Sequence, residues 1–543
     1  MRQSTRLIVN VCLTYARMGV TVGLGLATTA LALRAMGNNE FGLFGAVFAV
    51  AGLSMFISDS LGTSILRLLS LHVNSDGRQD QVTRAMATCL SMAIVLAVVP
   101  MALCLLGGTA VLSSLKLEAG REEAAWWTLQ LLVAGFALSV VQTPYRMLLM
   151  ARQEMIFITV ADVFDSLIRL SAAILALVLV DKADPLLVFA IGTVASPAIT
   201  GCALVVACAR KHAVARSLPG AIHRAELSEI LRFIGWDIVL VAIWRVRMTG
   251  SQLLLNWGFG TSVNAANSIA LQASGYQNNV ANSIGNATRP AIMSRYGQGD
   301  LGITRRLVLT SSKYMMLAML ALLIPLGFES PIIVRLWLGK DVEHAPILIF
   351  LTAIWIAINH LSAGHHIVMY AVGKLKRLTL VHLAIELALW AVAAAWILLF
   401  NGPVWLLAAL TILATAAGTW VRAVIVGPEI GMPASEWIRG TVWPVVAVTA
   451  IVGSVAGAAH FLVPESAGVS AAAGTSLERF VLPGLIRLIA VVGVAGVTLP
   501  LASWFVGMEQ WERQQFRRVA EKLWSSLPGR RTPVVKQPDA SES

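Results

Sequence analysis

Long apolar stretches dominate this chain and restrict what it can fold into. A helix needs about 20 mainly apolar residues to cross the hydrocarbon core of a bilayer. Fourteen stretches meet this requirement, as continuous runs rather than the short alternating segments of a β-barrel. They cover residues 7–33, 41–69, 85–108, 126–150, 157–180, 185–209, 231–257, 263–293, 307–337, 345–370, 378–400, 403–426, 441–463 and 480–506. The sequence therefore predicts an all-α integral membrane protein with about fourteen transmembrane helices, spans one to fourteen.

Composition agrees with a membrane protein. Hydrophobic residues make up 57% of the 543 residues and charged residues only 13%, about half of what a soluble domain carries. The cysteines all lie inside apolar stretches and form no C-x-x-C pair, so we interpret them as small packing residues. We predict no disulfide framework, no metal site and no cofactor. The cysteines are Cys12, Cys89, Cys104, Cys202 and Cys208.

Basic residues are distributed unevenly between alternate connections. With the N-terminus inside, 26 Lys and Arg residues lie at the inner connections and termini and 7 at the outer connections. The positive-inside rule then predicts cytoplasmic termini and accounts for the net charge of +12 without nucleic acid. The tail after residue 506 carries Trp511, Phe516 and Trp524 among its cations. It either lies on the anionic inner leaflet or is a solvated stop-transfer tail.

The chain also resembles itself at an offset near 220 residues. Residues 40–42 follow span one and residues 258–260 follow span seven, while the similar segments 145–152 and 366–374 end spans four and ten. Six spans separate the copies, so both copies cross the membrane in the same orientation. This predicts two six-helix lobes, related by an axis along the membrane normal, with a substrate cavity between them.

The repeat sets the predicted domain boundaries. Residues 1–209 form the N-terminal lobe, and the basic segment 210–230 is a cytoplasmic connection. Residues 231–426 form the C-terminal lobe, residues 427–506 add two transmembrane helices outside the repeat, and residues 507–543 form the basic cytoplasmic tail.

Polar residues recur at helical spacing within spans one, two, seven and eight. Charges in hydrocarbon are costly and face a cavity or a partner. Arginine suits a phosphate or diphosphate, and amides suit sugar hydroxyls. We predict a water-filled, net cationic cavity between the lobes; the alternative is that these groups bond to neighbouring helices. The candidates are Arg17, Asp59, Arg67, Arg245, Gln252, Asn256, Asn279, Asn282, Asn286 and Arg289.

Other intramembrane polar residues have different predicted roles. Arg247 points away from Arg245 and is interpreted as a lobe-packing or interface cation. His382 and Glu386, one turn apart, are candidates for ion or proton coupling or, alternatively, a hydrogen-bonded pair. Asp162, Asp165 and Arg169 on span five are interpreted as a buried ion-pair cluster within the first lobe rather than a proton relay. The span-ten histidines His360, His365 and His366 are interpreted as packing or cavity-lining residues rather than an acyltransferase or metal site.

Four short segments carry a resemblance to a known family. They are residues 36–44 (MGNNEFGLF), residues 289–300 (Arg-Pro, then Ser-Arg-Tyr and Gly-Asp), residues 333–339 (IVRLWLG) and residues 373–377 (GKLKR). In this order, within fourteen spans, the chain resembles the oligosaccharide flippase (Wzx-like) branch of the multidrug/oligosaccharidyl-lipid/polysaccharide (MOP) exporter superfamily. The resemblance covers most of the chain up to residue 426 and supplies no individual site residue.

The resemblance implies a MATE-like fold and a transporter rather than an enzyme. It implies alternating access that flips a polyprenyl-diphosphate-linked oligosaccharide across a bacterial inner membrane, for exopolysaccharide, capsule or O-antigen synthesis. The expected partners are that lipid-linked substrate and a polysaccharide polymerase or export complex.

Three other functions stay open at this point. A drug or cation antiporter of the same superfamily favours an acidic, aromatic-rich pocket. A membrane glycan polymerase or acyltransferase needs a nucleophile, a base or diphosphate-binding arginines at an aqueous face, and the predicted outer loops are short. The last is a scaffold for a synthesis complex.

Overall fold

The computed structural model describes residues 3–52, 61–62, 64–66, 69, 79–113, 120–152, 154–216, 222–372, 375–400, 402–463 and 476–525. These ranges are almost wholly helical and contain no strand, which confirms the all-α prediction. The helices are α1 Gln3–Gly52, α2 Gln79–Ser113, α3 Glu122–Ala151, α4 Met155–Val178, α5 Pro185–Lys211, α6 Arg224–Phe259, α7 Thr261–Gly297, α8 Leu301–Leu338, α9 Ala345–His360, α10 Ala363–Val372, α11 Leu375–Phe400, α12 Leu406–Val426, α13 Ala434–Trp437, α14 Trp443–Leu462, α15 Ser476–Ala502 and α16 Gln510–Ser525.

The predicted spans correspond to these helices in order. Within the described ranges, nine helices are long and apolar enough to cross a membrane, or ten when α9 and α10, bent by 51°, count as one span. Helix α1 contains span one and the start of span two. Helix α4 falls outside that count because it carries the predicted ion-pair cluster, and α6 and α7 fall outside it because they carry the charged and amide side chains of the predicted polar stripes. A bundle buries such residues away from lipid.

Two glycines give the repeat its clearest structural sign. Gly37 breaks α1 with φ 76° and ψ 179°, and Gly260 separates α6 from α7 with φ 85° and ψ −172°. This backbone conformation is essentially restricted to glycine. The two turns lie 223 residues apart, near the predicted offset. The equivalent turn residues are therefore Gly37 and Gly260. The sequence motif had instead paired residues 40–42 with residues 258–260, and that alignment is shifted by a few residues.

Ion pairs join the connections at each end of the N-terminal lobe. Arg121 contacts Glu40 at 2.5 Å and Asp184 at 2.8 Å, which brings three connections together at the Gly37 end. At the opposite end, Glu154 contacts Lys211 at 2.9 Å and His212 at 3.0 Å. Burial raises the pKa of Glu154, but hydrogen bonds from Lys211 and His212 outweigh it and hold this pKa below its ordinary value. Connections predicted to share a face thus do meet at one end.

The two C-terminal spans are attached to the second lobe through α8. Helices α14 and α15 pack on each other and on α8. Glu329, fully buried on α8, contacts His460 of α14 at 2.6 Å and Arg487 of α15 at 3.0 Å. A second buried ion pair joins α8 to α16, where Lys313 contacts Glu512 at 2.6 Å. Sequence reasoning missed both contacts, since their partners lie at least 130 residues apart in the chain.

Glu329→Ala is expected to destabilise the packing of α14 and α15 on α8. Removing this carboxylate breaks the 3.0 Å ion pair with the Arg487 guanidinium, which is only 14% exposed. Breaking a buried pair in this way costs about 3–5 kcal/mol. We expect a clear fall in the thermal unfolding midpoint of the purified protein in detergent. Asp341→Ala is the control, because its pair with Arg335 is exposed and such pairs contribute ~1 kcal/mol or less. Equal midpoints for the two variants would contradict a stabilising role for Glu329.

Candidate functional site

A central cavity of about 520 Å³ lies between the two lobes. Helices α1, α4 and α5 of the first lobe and α6 and α7 of the second contribute its walls. Arg245, Thr249 and Gln252 line it from successive turns of one face of α6. Helix α7 adds Gln272 and Tyr276. The polar stripe predicted on span seven therefore faces a cavity at the lobe interface.

The lobes contact each other directly on the Gly37 side of this cavity. Thr29 donates to Gln272 Oε1 at 2.6 Å, and Trp337 Nε1 donates to the Leu26 carbonyl at 2.7 Å. The close approach of α1 to α7 depends on glycine. A Cβ at Gly45 would lie 3.3 Å from Ser268 Cβ and collide with the Ser268 hydroxyl. Hydrogen bonds and close backbone packing thus join the two lobes at this end.

The cavity combines cations, amides and aromatic rings. Arg245 lies with its guanidinium 5.2 Å from the centre of the Trp244 ring. Arg169 of α4 faces the same cavity and pairs with Asp165 at 2.9 Å. Phe44 and Phe189, with ring centres 5.0 Å apart, form part of an aromatic wall. The arrangement can hold a molecule that carries both anionic oxygens and apolar ring faces.

The other candidates on α1 and α6 lie elsewhere. Arg17 contacts Asp162 at 2.5 Å, and Arg146 binds the other oxygen of the same carboxylate. Arg17 therefore shares a carboxylate with Arg146 within the first lobe and is not among the lining residues of the central cavity. Asn256 is buried near the Gly260 turn, where its carbonyl accepts from the Gly260 amide. The predicted ion pairs of the first lobe are confirmed, although Asp162 pairs with Arg17 and Arg146 rather than with Arg169. The cluster is not buried as predicted, because the Asp165 and Arg169 side chains are 33% and 35% exposed.

The predicted stripe on span eight is divided between different surroundings. Arg289 and Asn282 line a second cavity, which lies inside the C-terminal lobe. Asn279 is exposed. The backbone of Asn286 is described as part of α7, but its side chain is not. Asp59 and Arg67 lie outside the described residues. One helix face can border two cavities because each neighbouring helix covers only part of its length.

This second cavity, the C-lobe cavity, has a volume of about 360 Å³. His382 and Glu386 line it, and Glu386 pairs with Arg247 at 3.0 Å. Arg247 also donates to Thr415 Oγ1 at 3.0 Å. The predicted packing role of Arg247 within its lobe agrees with these contacts. Trp244 borders both cavities, so they are neighbours across one side chain.

Sequence reasoning missed several lining residues of both cavities. The aromatic wall was available as a pattern, since Phe41, Phe44 and Phe48 recur on one face after the Gly37 turn. Arg422, counted with the basic residues of the predicted inner face, is only 7% exposed in the C-lobe cavity. Over the part of the chain that the structure describes, no group of three or more His, Cys, Asp or Glu is placed to hold a metal ion.

Comparison with solved structures defines the fold. A MOP superfamily transporter from Pyrococcus furiosus superposes with a TM-score of 0.60 at 13% identity, over 78% of this chain and 95% of that one. The lipid II flippase MurJ, in an inward closed conformation, gives a TM-score of 0.60 at 10% identity, over 91% of this chain and 99% of that one. The eukaryotic MATE transporter AtDTX14 gives a TM-score of 0.57 at 13% identity, over 79% of this chain and 99% of that one. This is therefore a membrane protein with the fold of MOP superfamily transporters.

The family is shown by the sequence itself. Residues 7–295, more than half of the chain, match the polysaccharide biosynthesis protein family. The chain belongs to that family. A search of curated proteins gives no match. The resemblance to the oligosaccharide flippase branch of the MOP superfamily is thus confirmed for family and fold.

Proposed function

We propose that this protein flips a polyprenyl-diphosphate-linked oligosaccharide across a bacterial inner membrane by alternating access. The supporting observation is the central cavity. It lies between two lobes of a transporter fold, and its walls combine Arg245 and Arg169 with amides and aromatic rings. Membership of the polysaccharide biosynthesis family supports a glycan as the transported group. The products served are exopolysaccharide, capsule or O-antigen.

Each part of such a substrate has a matching group in the cavity. The Arg245 guanidinium can donate two parallel hydrogen bonds to a diphosphate. Gln252 and Gln272 offer amide donors and acceptors to sugar hydroxyls. Trp244 offers an apolar ring face to the carbon skeleton of a sugar. A drug or cation antiporter would favour carboxylates here, but the described lining residues of this cavity include no Asp or Glu.

The direction of transport follows from the predicted orientation. With both termini in the cytoplasm, the Gly37 end faces the periplasm. The contacts of Thr29 with Gln272 and of Trp337 with Leu26 then close the periplasmic side. Substrate enters from the cytoplasmic side, and release requires these contacts to break.

Coupling through His382 and Glu386 stays a prediction. Arg247 gives Glu386 a permanent counter-charge at 3.0 Å, so this carboxylate needs no external cation in the conformation described. A polymerase or acyltransferase activity is the remaining enzymatic alternative. For the flippase, the expected partner is a polymerase or export complex that receives the flipped product.

Deletion of the gene in its native host tests the proposed function. Lipid-linked repeat units are expected to accumulate on the cytoplasmic face, and surface polysaccharide is expected to be lost, with export restored by a plasmid copy. The measurement is the fraction of repeat units accessible to a membrane-impermeant glycosidase in spheroplasts. Normal accessibility in the deletion strain would overturn the proposal. Intact glycans combined with increased drug susceptibility would favour the antiporter instead.

A further inference from the structure

The C-lobe cavity has an unbalanced set of charges. Three arginines from three different helices line it, namely Arg247 of α6, Arg289 of α7 and Arg422 of α12. Glu386 is the single carboxylate among the described lining residues, and it is already paired with Arg247. Two guanidinium groups are thus left without a carboxylate partner in the described parts of the chain.

The hydrogen bonds of Arg422 do not neutralise its charge. They go to Ser362 Oγ at 3.1 Å, Asn359 Oδ1 at 3.2 Å and the Asn359 carbonyl at 3.5 Å, all of them uncharged acceptors. These acceptors lie at the bend between α9 and α10, where the positive charge also stabilises the C-terminal end of α9. Arg422 therefore keeps a full charge at a site only 7% exposed, which is costly without an anion.

Arg289 and its neighbours complete a polar site. The Arg289 Nε atom is buried and has no hydrogen-bond partner within the described residues. His366 lines the same cavity as Arg289 and Arg422, so the imidazole and the two guanidinium groups border one enclosed space. Asn278 and Tyr370 add uncharged polar groups to the walls. These are the partners that a compact oxyanion uses in proteins.

We propose that the C-lobe cavity binds a phosphate-type oxyanion between Arg289 and Arg422. This site is separate from the central cavity and does not depend on what the central cavity carries. The anion is a free phosphate or diphosphate, or the phosphate of a lipid-linked molecule that reaches the site past Trp244. Phosphate binding here would neutralise the two unpaired arginines and hold α7 and α12 together.

Titration calorimetry with inorganic pyrophosphate on the purified full-length protein in detergent tests the proposal. Arg289→Gln is expected to weaken binding roughly tenfold or more, the size of one charged hydrogen bond. Glu386→Gln is expected to tighten binding several-fold, because it removes the carboxylate that pairs with Arg247 at 3.0 Å. Arg335→Gln, at the far end of α8, is the matched control and is expected to bind as the wild type does.

The Arg245→Gln variant distinguishes anion binding in the C-lobe cavity from anion binding in the central cavity. Retained pyrophosphate binding in this variant, with weaker binding in Arg289→Gln, supports the C-lobe site even if transport of a lipid-linked glycan fails its own test. Loss of binding in Arg245→Gln alone would place the anion in the central cavity and overturn the inference. Absence of pyrophosphate binding by the folded wild-type protein would also overturn it.

A competition titration identifies the source of the anion. Displacement of pyrophosphate by polyprenyl diphosphate would assign the site to a lipid-linked phosphate, and unchanged pyrophosphate affinity would assign it to a free anion. Arg422→Gln is informative only as a folded protein, since Arg422 also holds the bend between α9 and α10. The pyrophosphate affinities of Arg289→Gln and Glu386→Gln therefore decide whether the anion binds in the C-lobe cavity.

Discussion

Export of lipid-linked oligosaccharide is expected to fall by roughly 10–100-fold when Arg245 is replaced by alanine, if one charged hydrogen-bond set to a diphosphate is lost. Arg245 lines the central cavity on the same face as Gln252. Arg245→Lys is expected to recover only part of the activity, because an ammonium keeps the charge but cannot donate two parallel hydrogen bonds.

The measurement is surface polysaccharide and glycosidase-accessible repeat units in the deletion strain that carries each variant. Membrane levels of each protein are compared by immunoblot. Arg335→Ala is the control, since its pair with Asp341 is solvent-exposed at the Gly37 end and outside the cavity. Arg245→Ala protein that inserts normally and exports at the wild-type rate would remove Arg245 from the substrate site.

A disulfide between Gly45→Cys and Ser268→Cys is expected to stop transport almost completely. A Cβ at position 45 would lie 3.3 Å from Ser268 Cβ, within a few tenths of an ångström of the usual separation across a disulfide, about 3.5–4.5 Å. The bond would hold α1 against α7 and keep the Gly37 end closed. Alternating access requires this end to open, so export should return when the bond is reduced.

The double variant is made in a chain whose five native cysteines are replaced by alanine. Export is measured after oxidation and again after dithiothreitol treatment. The control is Gly45→Cys with Ser268→Ala, which removes the colliding hydroxyl but cannot form the bond. Full export by the oxidised, cross-linked protein would show that the Gly37 end does not open during transport.

The all-helical fold and the chain order of the described helices could be predicted from the sequence because each crossing depends on local composition. Apolar length identifies most spans, and the charge bias identifies their alternation. The repeat was also detectable, but its register was not. Motif 40–42 was paired with 258–260, whereas the equivalent turns are formed by Gly37 and Gly260. A short motif match does not report backbone dihedral angles.

Side-chain partners across helices could not be predicted, and they change how several residues are interpreted. Helical periodicity places Arg17 and Arg245 on polar stripes of their own helices. It does not specify which neighbour each stripe meets. Arg17 pairs with Asp162, 145 residues away, whereas Arg245 faces the space between the lobes. The same residue type on a polar helix face is thus a packing cation in one lobe and a cavity cation in the other.

The sequence by itself determined that this is a multi-span, all-helical membrane protein of two like-oriented lobes, because the bilayer imposes length, hydrophobicity and charge rules on every segment separately. Only the tertiary structure decided how the polar residues divide among a central cavity, a C-lobe cavity and buried ion pairs such as Glu329 with Arg487. That division depends on contacts between helices far apart in the chain, and intramembrane charges have low energy only where such a contact or an anion balances them.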